Sequence, residues 1–361
     1  MKNTVPHLVL PARAPHQALS QHFLAKQLVI ERWFRVQWQQ TPPPFYSSVD
    51  LRNAGFKIAT VDTNLFPAGF NNLNPAFMSL CVQAAQATLT QLFPGCQRIL
   101  LVPENHTRNR FYFESLARLK QILLNAGFDV QISAWREDLL EPEFVHLNND
   151  RTLVIKPLLH QDGHIGVEDF WPCLVLLNND LSEGVPEFFK DLKQQIFPQP
   201  SLGWATRTKS QHFGYYQKIV TDFAEMADMD PWLLAADFSS VENIDFMSRQ
   251  GETELAAAVD QMIELTQRKY DQYGITLTPY VVVKADAGTY GMGVMTVKSG
   301  AEILQLNRKE RSRMAVTKGQ KIEQVIIQEG VYSFEEVDGF VAEPVVYMIG
   351  SYVVGGFYRV H

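Results

Sequence analysis

The chain has 361 residues, 46% of them hydrophobic and 20% charged, with a formal net charge of −7. That balance belongs to a globular protein with room for two or three cores, and it excludes a disordered or fibrous chain. The acidic excess argues against a nucleic-acid binder with a basic stripe. The sequence also shows no apolar h-region and no run of eighteen apolar residues, so a cytoplasmic protein with no membrane partner is expected. Cys81, Cys96 and Cys173 are odd in number and widely spaced, and neither a disulfide framework nor a zinc site is expected from them.

Between Pro15 and Gln40, Leu19, Phe23, Leu24, Ile30, Trp33 and Phe34 recur at helical spacing, and the prolines at 42–44 end that helix. The stretch 45–75 sets Asp50, Arg52, Asn53, Lys57, Asp62, Asn64, Asn71, Asn72 and Asn74 among Phe, Leu and Gly. It is too polar for a core strand and too apolar for a disordered linker. It reads as a long loop, either purely structural or holding a zwitterionic substrate through its amides and carboxylates.

A helix over 75–93 stops at Pro94-Gly95, and a strand at 98–102 leads into a turn with His106 and Arg108. A helix with Phe113, Leu116, Leu119 and Leu123 on one face and a strand at 130–132 complete a β–turn–α–β order. This order predicts parallel pairing, with ligands favouring the carboxyl ends of the strands. His106 and Arg108 lie there, although a lone turn histidine is more often structural. Strands at 152–155 and 173–177 follow, the second running into Asn178, Asn179 and Asp180, and 185–196 reads as a helix. Phe197-Pro198-Gln199-Pro200-Ser201 is a stiff break. It is the expected boundary between an α/β domain over 1–200 and a second domain over 201–361.

Arg207 and Lys209 open the second half, and two amphipathic helices follow, one carrying Phe213, Tyr216, Val220 and Phe223, the other Leu255, Val259, Met262 and Tyr270. Val281-Val282-Val283 then forms a strand that ends in Lys284. The G-x-x-G-x-G run Gly288-Thr289-Tyr290-Gly291-Met292-Gly293 comes next, and Val294 resumes a strand. Glycine backbone can approach a ligand closely, and a ring of N–H donors beside a lysine suits a polyphosphate. The run joins two strands rather than opening a helix, which separates it from P-loops and from the dinucleotide fingerprint. After a short helix at 300–307, a strand over 325–331 contains Gln328, Glu329 and Val331. A hairpin of 343–349 and 352–360 carries Glu343, Tyr347 and Arg359.

This order resembles the ATP-grasp ligases over residues 203–361. The resemblance implies an ATP-grasp domain after an N-terminal parallel-sheet α/β domain. In it Lys284, Lys209 and Arg359 serve catalysis, and Lys284 and Gly288 to Gly293 cover the phosphates of ATP. Gln328, Glu329 and Val331 read adenine through backbone groups. Phe45-Tyr46-Ser47-Ser48-Val49-Asp50-Leu51-Arg52-Asn53, the string from Asp62 to Asn72 and the ending Tyr358-Arg359-Val360-His361 look like the proteobacterial glutamate–cysteine ligase family of that type. The resemblance then implies ATP-dependent joining of the glutamate γ-carboxylate to cysteine through an acyl phosphate, the first step towards glutathione. Asp50, Arg52, Asn53, Asp62, Asn64, Asn71, Asn72, His106 and Arg108 are its candidate substrate ligands. It also implies Mg²⁺, for which Glu343 is a weak candidate (ribose is the alternative). The usual Glu-x-Asn metal pair is expected beyond His361, in a longer chain. Self-association is left open. Two other readings stand beside it: an ATP-grasp ligase for different amino acids, and a non-catalytic nucleotide-binding protein.

Overall fold

The computed structural model describes residues 14–105, 109–148, 150–287, 293–317 and 320–360. Two helices, α1 (Ala14–Ala25) and α2 (Gln27–Gln40), replace the single helix expected at the N-terminus, with a break at Lys26. Strands β1 (Tyr46–Asn53) and β2 (Ile58–Asn64) follow, where a long loop was expected. The cause of that error is geometric. Strand side chains alternate between faces, and the face of β1 bearing Ser48, Asp50 and Arg52 lines a polar cavity, so neither strand shows the apolar alternation of a core element. Asn71 and Asn72 end in a 3-10 turn, Phe70–Asn72.

Next in order come α3 (Met78–Leu92), β3 (Arg98–Pro103), α4 (Arg110–Asn125), β4 (Asp129–Ala134), β5 (Glu143–His146), β6 (Thr152–Pro157), β7 (Leu174–Asn178) and β8 (Gln195–Phe197). They build a six-stranded sheet ordered β8-β7-β3-β4-β6-β5, parallel except for β5 against β6. Leu116, Leu119 and Leu123 of α4 pack with Leu89 of α3 on Ile99, Leu101 and Ile132, as their spacing predicts. The helix expected over 185–196 is absent. A 3-10 turn, Glu187–Asp191, and the edge strand β8 stand there instead. Tertiary partners override the local pattern: Phe189 enters the core, Lys193 N–H donates to Gly163 O (2.9 Å), and the Gln194 amide bonds both backbone groups of Ile165.

The elements of the second half that frame the site are α5 (Lys209–Ala227), β9 (Phe238–Glu242), α6 (Glu252–Tyr273), β10 (Val281–Ala285), β11 (Val294–Val297), β12 (Gln324–Glu329), β13 (Phe340–Ile349) and β14 (Tyr352–Val360). Strands β9-β12-β10-β11 form an antiparallel sheet, in which β10 and β11 are the expected glycine hairpin. Strands β14-β13-β1-β2 lie side by side in another antiparallel sheet. The C-terminal hairpin therefore pairs with the first strand of the chain. Val345, Tyr347 and Ile349 share one core cluster with Tyr46, Leu101 and Leu119, so the expected division at residues 200–201 does not separate two independent cores.

A second correction concerns the cysteines. Cys96 and Cys173 form a disulfide, with Cα atoms 5.7 Å apart across a sequence separation of 77. Parallel pairing of β3 with β7 sets the starts of the two strands side by side, Ile99 opposite Leu174, a proximity invisible in the linear spacing. Among the described residues no helix is long and apolar enough to cross a membrane.

Candidate active site

A cavity of about 960 Å³ opens between the β14-β13-β1-β2 sheet and the ends of β10 and α5. On the sheet side, cross-strand neighbours point to one face: Ser48 lies opposite Asn64 and Tyr347, Asp50 opposite Asp62 and Val345, and Glu343 opposite Arg359. Two ion pairs lie on that face. The Arg359 guanidinium donates to Asp50 (Nη1–Oδ2 2.6 Å), and Arg52 forms an ion pair with Glu343. Burial pushes the Asp50 carboxyl above its usual range even though Arg359 opposes the shift. Burial also disfavours the Arg359 charge, but Asp50, with Glu343 and Asp62 behind it, more than offsets it and holds that guanidinium above its ordinary value.

Facing this sheet, Lys284 sits near the end of β10, where its Nζ donates to Gln328 Oε1 (2.7 Å) and to the Val61 carbonyl (3.0 Å). Lys209 is the first residue of α5, and its ammonium lies 4.7 Å from the Trp204 ring centroid; Arg207 covers the same ring at 4.9 Å. A single carboxylate ties these two walls of cations together. Asp286, two residues past Lys284, accepts from Ser210 N and Ser210 Oγ (2.7 Å each), and its carbonyl accepts from Lys209 N. The negative side chain at a helix start satisfies donors that the first turn leaves open. Here it also fixes α5 against the strand that carries Lys284.

Burial pulls Lys284 down to about 8, with Asp62 opposing and Lys209 and Arg52 reinforcing the shift. Burial likewise lowers Lys209, and Arg207 falls to about 10. Cations whose charge burial disfavours stand to gain from an anionic ligand, which repays part of the desolvation cost. The sign of the pH dependence follows. Free Lys284 loses its proton as pH rises through about 8, whereas a polyphosphate prefers the charged form. The KM of a polyphosphate substrate should be flat below about pH 7 and climb above pH 8, approaching tenfold per unit by proton linkage. A KM–pH profile that stays flat to pH 9.5 would count against Lys284 as the phosphate contact.

Of the candidate ligands, Asp50, Arg52, Asp62, Asn64, Asn72, Lys209, Lys284 and Arg359 all line this one cavity. Others do not. Asn53 turns to the β1–β2 connection and bonds Glu335, and Asn71 is engaged with the neighbouring Asn72. Glu343 is committed to Arg52. Three backbone groups of the 329–331 segment are bonded inside the protein: Glu329 N–H to Asp237 O, Gly330 N–H to Tyr280 O, and Val331 O from the Tyr280 hydroxyl. Gly293 is described, with φ +65°, and a Cβ there would stand 2.7 Å from Ile322 Cδ1. His106, Arg108 and Gly288, Thr289, Tyr290, Gly291 and Met292 lie outside the described residues.

Residue-by-residue reading missed the far end of the cavity, where Glu104, Tyr112, Asp180 and Trp204 complete the lining. Asp180 N–H donates to Glu104 Oε1 (2.9 Å), Glu104 N–H to the Tyr112 hydroxyl (2.9 Å), and that hydroxyl to Asn178 O (2.9 Å). The signal available was positional: Glu104 and Asp180 follow the carboxyl ends of the parallel strands β3 and β7, where α/β sheets bind ligands. Among the described residues there is no group of three or more His, Cys, Asp or Glu able to hold a metal ion. The Glu343 carboxylate is paired with Arg52.

Chemically, the cavity combines buried cations at one wall with alternating acid and base side chains at the other. It can hold a highly charged anion against a zwitterion. The glutamate–cysteine ligase family profile (GshA) matches residues 20–361 of the chain. A crystal structure from Methylobacillus flagellatus KT, of a protein assigned as a gamma-glutamylcysteine synthetase, is 48% identical. It superposes with a TM-score of 0.92 over 99% of this chain and 84% of that one. D-alanyl-alanine synthetase A from Vibrio cholerae O1 biovar eltor matches at 10% identity and TM-score 0.35, over 70% of this chain and 68% of its own. A glutathione synthetase-like effector (GSS30) from Globodera pallida matches at 12% and 0.40, over 96% and 78%. At those values neither of the last two carries an argument. No curated protein sequence matches the chain.

Proposed function

The chain belongs to the glutamate–cysteine ligase family, and from that membership we propose how its cavity divides the work of joining glutamate to cysteine with ATP. The reading rests on one observation: a single cavity brings Lys284 and Lys209 face to face with the Asp50, Arg52, Asp62 and Asn64 sheet. Lys284 and Lys209 neutralise the triphosphate, and Arg359 sits on the sheet edge where the transferred phosphoryl group meets the amino acid. Phosphoryl transfer asks a protein mainly for positioning and cationic stabilisation, and buried cations supply both.

In the proposed sequence a γ-carboxylate oxygen of glutamate attacks the terminal phosphorus of ATP, ADP leaves, and an acyl phosphate forms. The cysteine amino group then attacks the acyl carbon and phosphate departs. That amine must first lose a proton, and Asp50, whose carboxyl is pushed up by burial, is the wall carboxylate best matched to accept it. Arg52 holds the glutamate α-carboxylate in the bidentate manner open to a guanidinium. Mg²⁺ is expected to accompany the triphosphate, and no protein ligand is assigned to it.

The test is ADP release in the presence of glutamate and a panel of second amino acids, with the product identified by mass. Release with cysteine or a close thiol analogue, and a γ-linked dipeptide, is the expected result; turnover with alanine but not with cysteine would sink it. For the sheet, Arg52→Ala should raise the glutamate KM roughly tenfold or more, the loss of a charge-assisted pair, and leave the KM for ATP nearly unchanged. An unaltered glutamate KM would make Arg52 a structural partner of Glu343 only.

A further inference from the structure

A buried ion pair lies outside the cavity and takes no part in the chemistry above. Lys57, in the turn between β1 and β2, donates to both carboxylate oxygens of Glu329 at 2.9 Å, and each residue is only 1% exposed. The same carboxylate accepts from Trp232 Nε1 (3.1 Å to each oxygen) and from Asp237 N (3.2 Å). The Lys57 ammonium lies 3.9 Å from the Trp232 ring centroid, and the Phe56 ring stacks with that of Trp232. Further bonds join the same two segments: Phe334 N–H donates to Asn53 O (2.9 Å), and Asn53 bonds Glu335.

These contacts fasten one end of the amino-acid sheet, β1 and β2, to the end of β12, which carries Gln328 beside Lys284. The residues so linked are 272 apart in sequence. Stability alone does not account for the arrangement, because a well-packed apolar pair in place of a buried ion pair is often neutral or better. A fully satisfied polar network does specify one geometry, since any shift leaves a buried charge unpaired. Register matters here: the cavity face of β1 depends on alternation, and a one-residue slip would turn Asp50 and Arg52 away.

We infer that Lys57 is a positioning residue for the ligase reaction: through Glu329 it locks the strands that hold the amino acid to the strand that ends at the nucleotide. Lys57 itself touches neither substrate, being buried and absent from the cavity wall. The inference rests on the assignment of sites made under Proposed function.

Two measurements test it. In the double variant Lys57→Met/Glu329→Met both charges are gone and the volume is kept, so the protein should stay folded, melting below wild type only by what Trp232 Nε1 and Asp237 N lose with their acceptor. Both KM values, for ATP and for glutamate, should nonetheless rise together by about tenfold or more, the scale of loss expected from an ångström of misalignment. Wild-type KM values in the folded double variant, or a rise confined to one substrate, overturn the inference. The second measurement needs no variant. Glutamate without nucleotide should slow amide hydrogen exchange in residues 329–335 of the unmodified enzyme as well as in 46–64. Protection of 46–64 alone overturns the Lys57 inference and leaves the site assignment standing. Protection of neither segment overturns the assignment of the amino-acid site, and the inference with it.

Discussion

Lys284→Ala is expected to lower kcat/KM for ATP by roughly three orders of magnitude, the scale seen when a preorganised charge is removed from a phosphoryl-transfer site. The ammonium is the buried cation of the cavity that stands on the strand leading into the glycine run, and its two present acceptors are replaceable. They are Gln328 Oε1 and the Val61 carbonyl. Gln328 Nε2 is buried without a partner among the described residues, so that amide has no second anchor once the lysine is gone. The fold should survive, because the variant also removes a charge that burial disfavours. Steady-state ADP release, with the melting temperature as a control, reads the result. A well-folded Lys284→Ala protein that keeps its ATP affinity and rate would move the phosphate site elsewhere. Lys284→Arg separates charge from shape: it should restore part of the ATP affinity and abolish the rise in KM above pH 8, because a guanidinium keeps its proton there.

The second large effect is on stability. Glu329→Ala should cost about 3–5 kcal/mol, the usual penalty for breaking a buried ion pair by removing one partner. It strands the Lys57 ammonium over Trp232, and it leaves Trp232 Nε1 and Asp237 N without their acceptor. Burial already pulls Lys57 below its ordinary value and pushes Glu329 above its own, with each partner opposing the other's shift. Without Glu329 the lysine gives up its proton to stay buried. The variant should therefore lose least stability at alkaline pH, where the unfolded chain also approaches neutrality at this side chain, and most at neutral or acidic pH. Urea melts at pH 7 and pH 9.5 check both the size and the sign. On heating, a fall in Tm on the order of 10 °C is the corresponding observation. A midpoint unchanged at pH 7 would show that the pair contributes nothing net.

Much of the helical framework was legible because it is written locally. The stripes Leu116, Leu119, Leu123 on α4 and Phe213, Val220, Phe223 on α5 need only a few neighbouring positions to act. The glycine hairpin was legible for the same reason: a β-branched run, a lysine, glycines and a second β-branched run occupy one short stretch. The stretch 45–75 misled because strands that line a polar cavity lose the apolar alternation by which strands are recognised. The stretch 185–196 misled in the opposite way: Lys193 and Gln194 bond Gly163 and Ile165, and 195–197 pairs with β7, so distant partners claim its backbone.

By itself the sequence determined much of the helical framework, the two strands around Lys284 and the glycine run, and the polar strings that identify the ligase family, since all of these depend on residue types at short separations. Only the tertiary structure decided what faces what. It paired Asp50 with Arg359 across 309 residues, joined Lys57 to Glu329 across 272, and bonded Cys96 to Cys173. It also showed Asp286 holding Lys209 and Lys284 in one frame, and brought Glu104 and Asp180 to the far end of the cavity. The physical reason is that cross-strand neighbours and buried ion pairs are set by sheet order and register. Those follow from the packing of the whole chain and leave no local spacing to read.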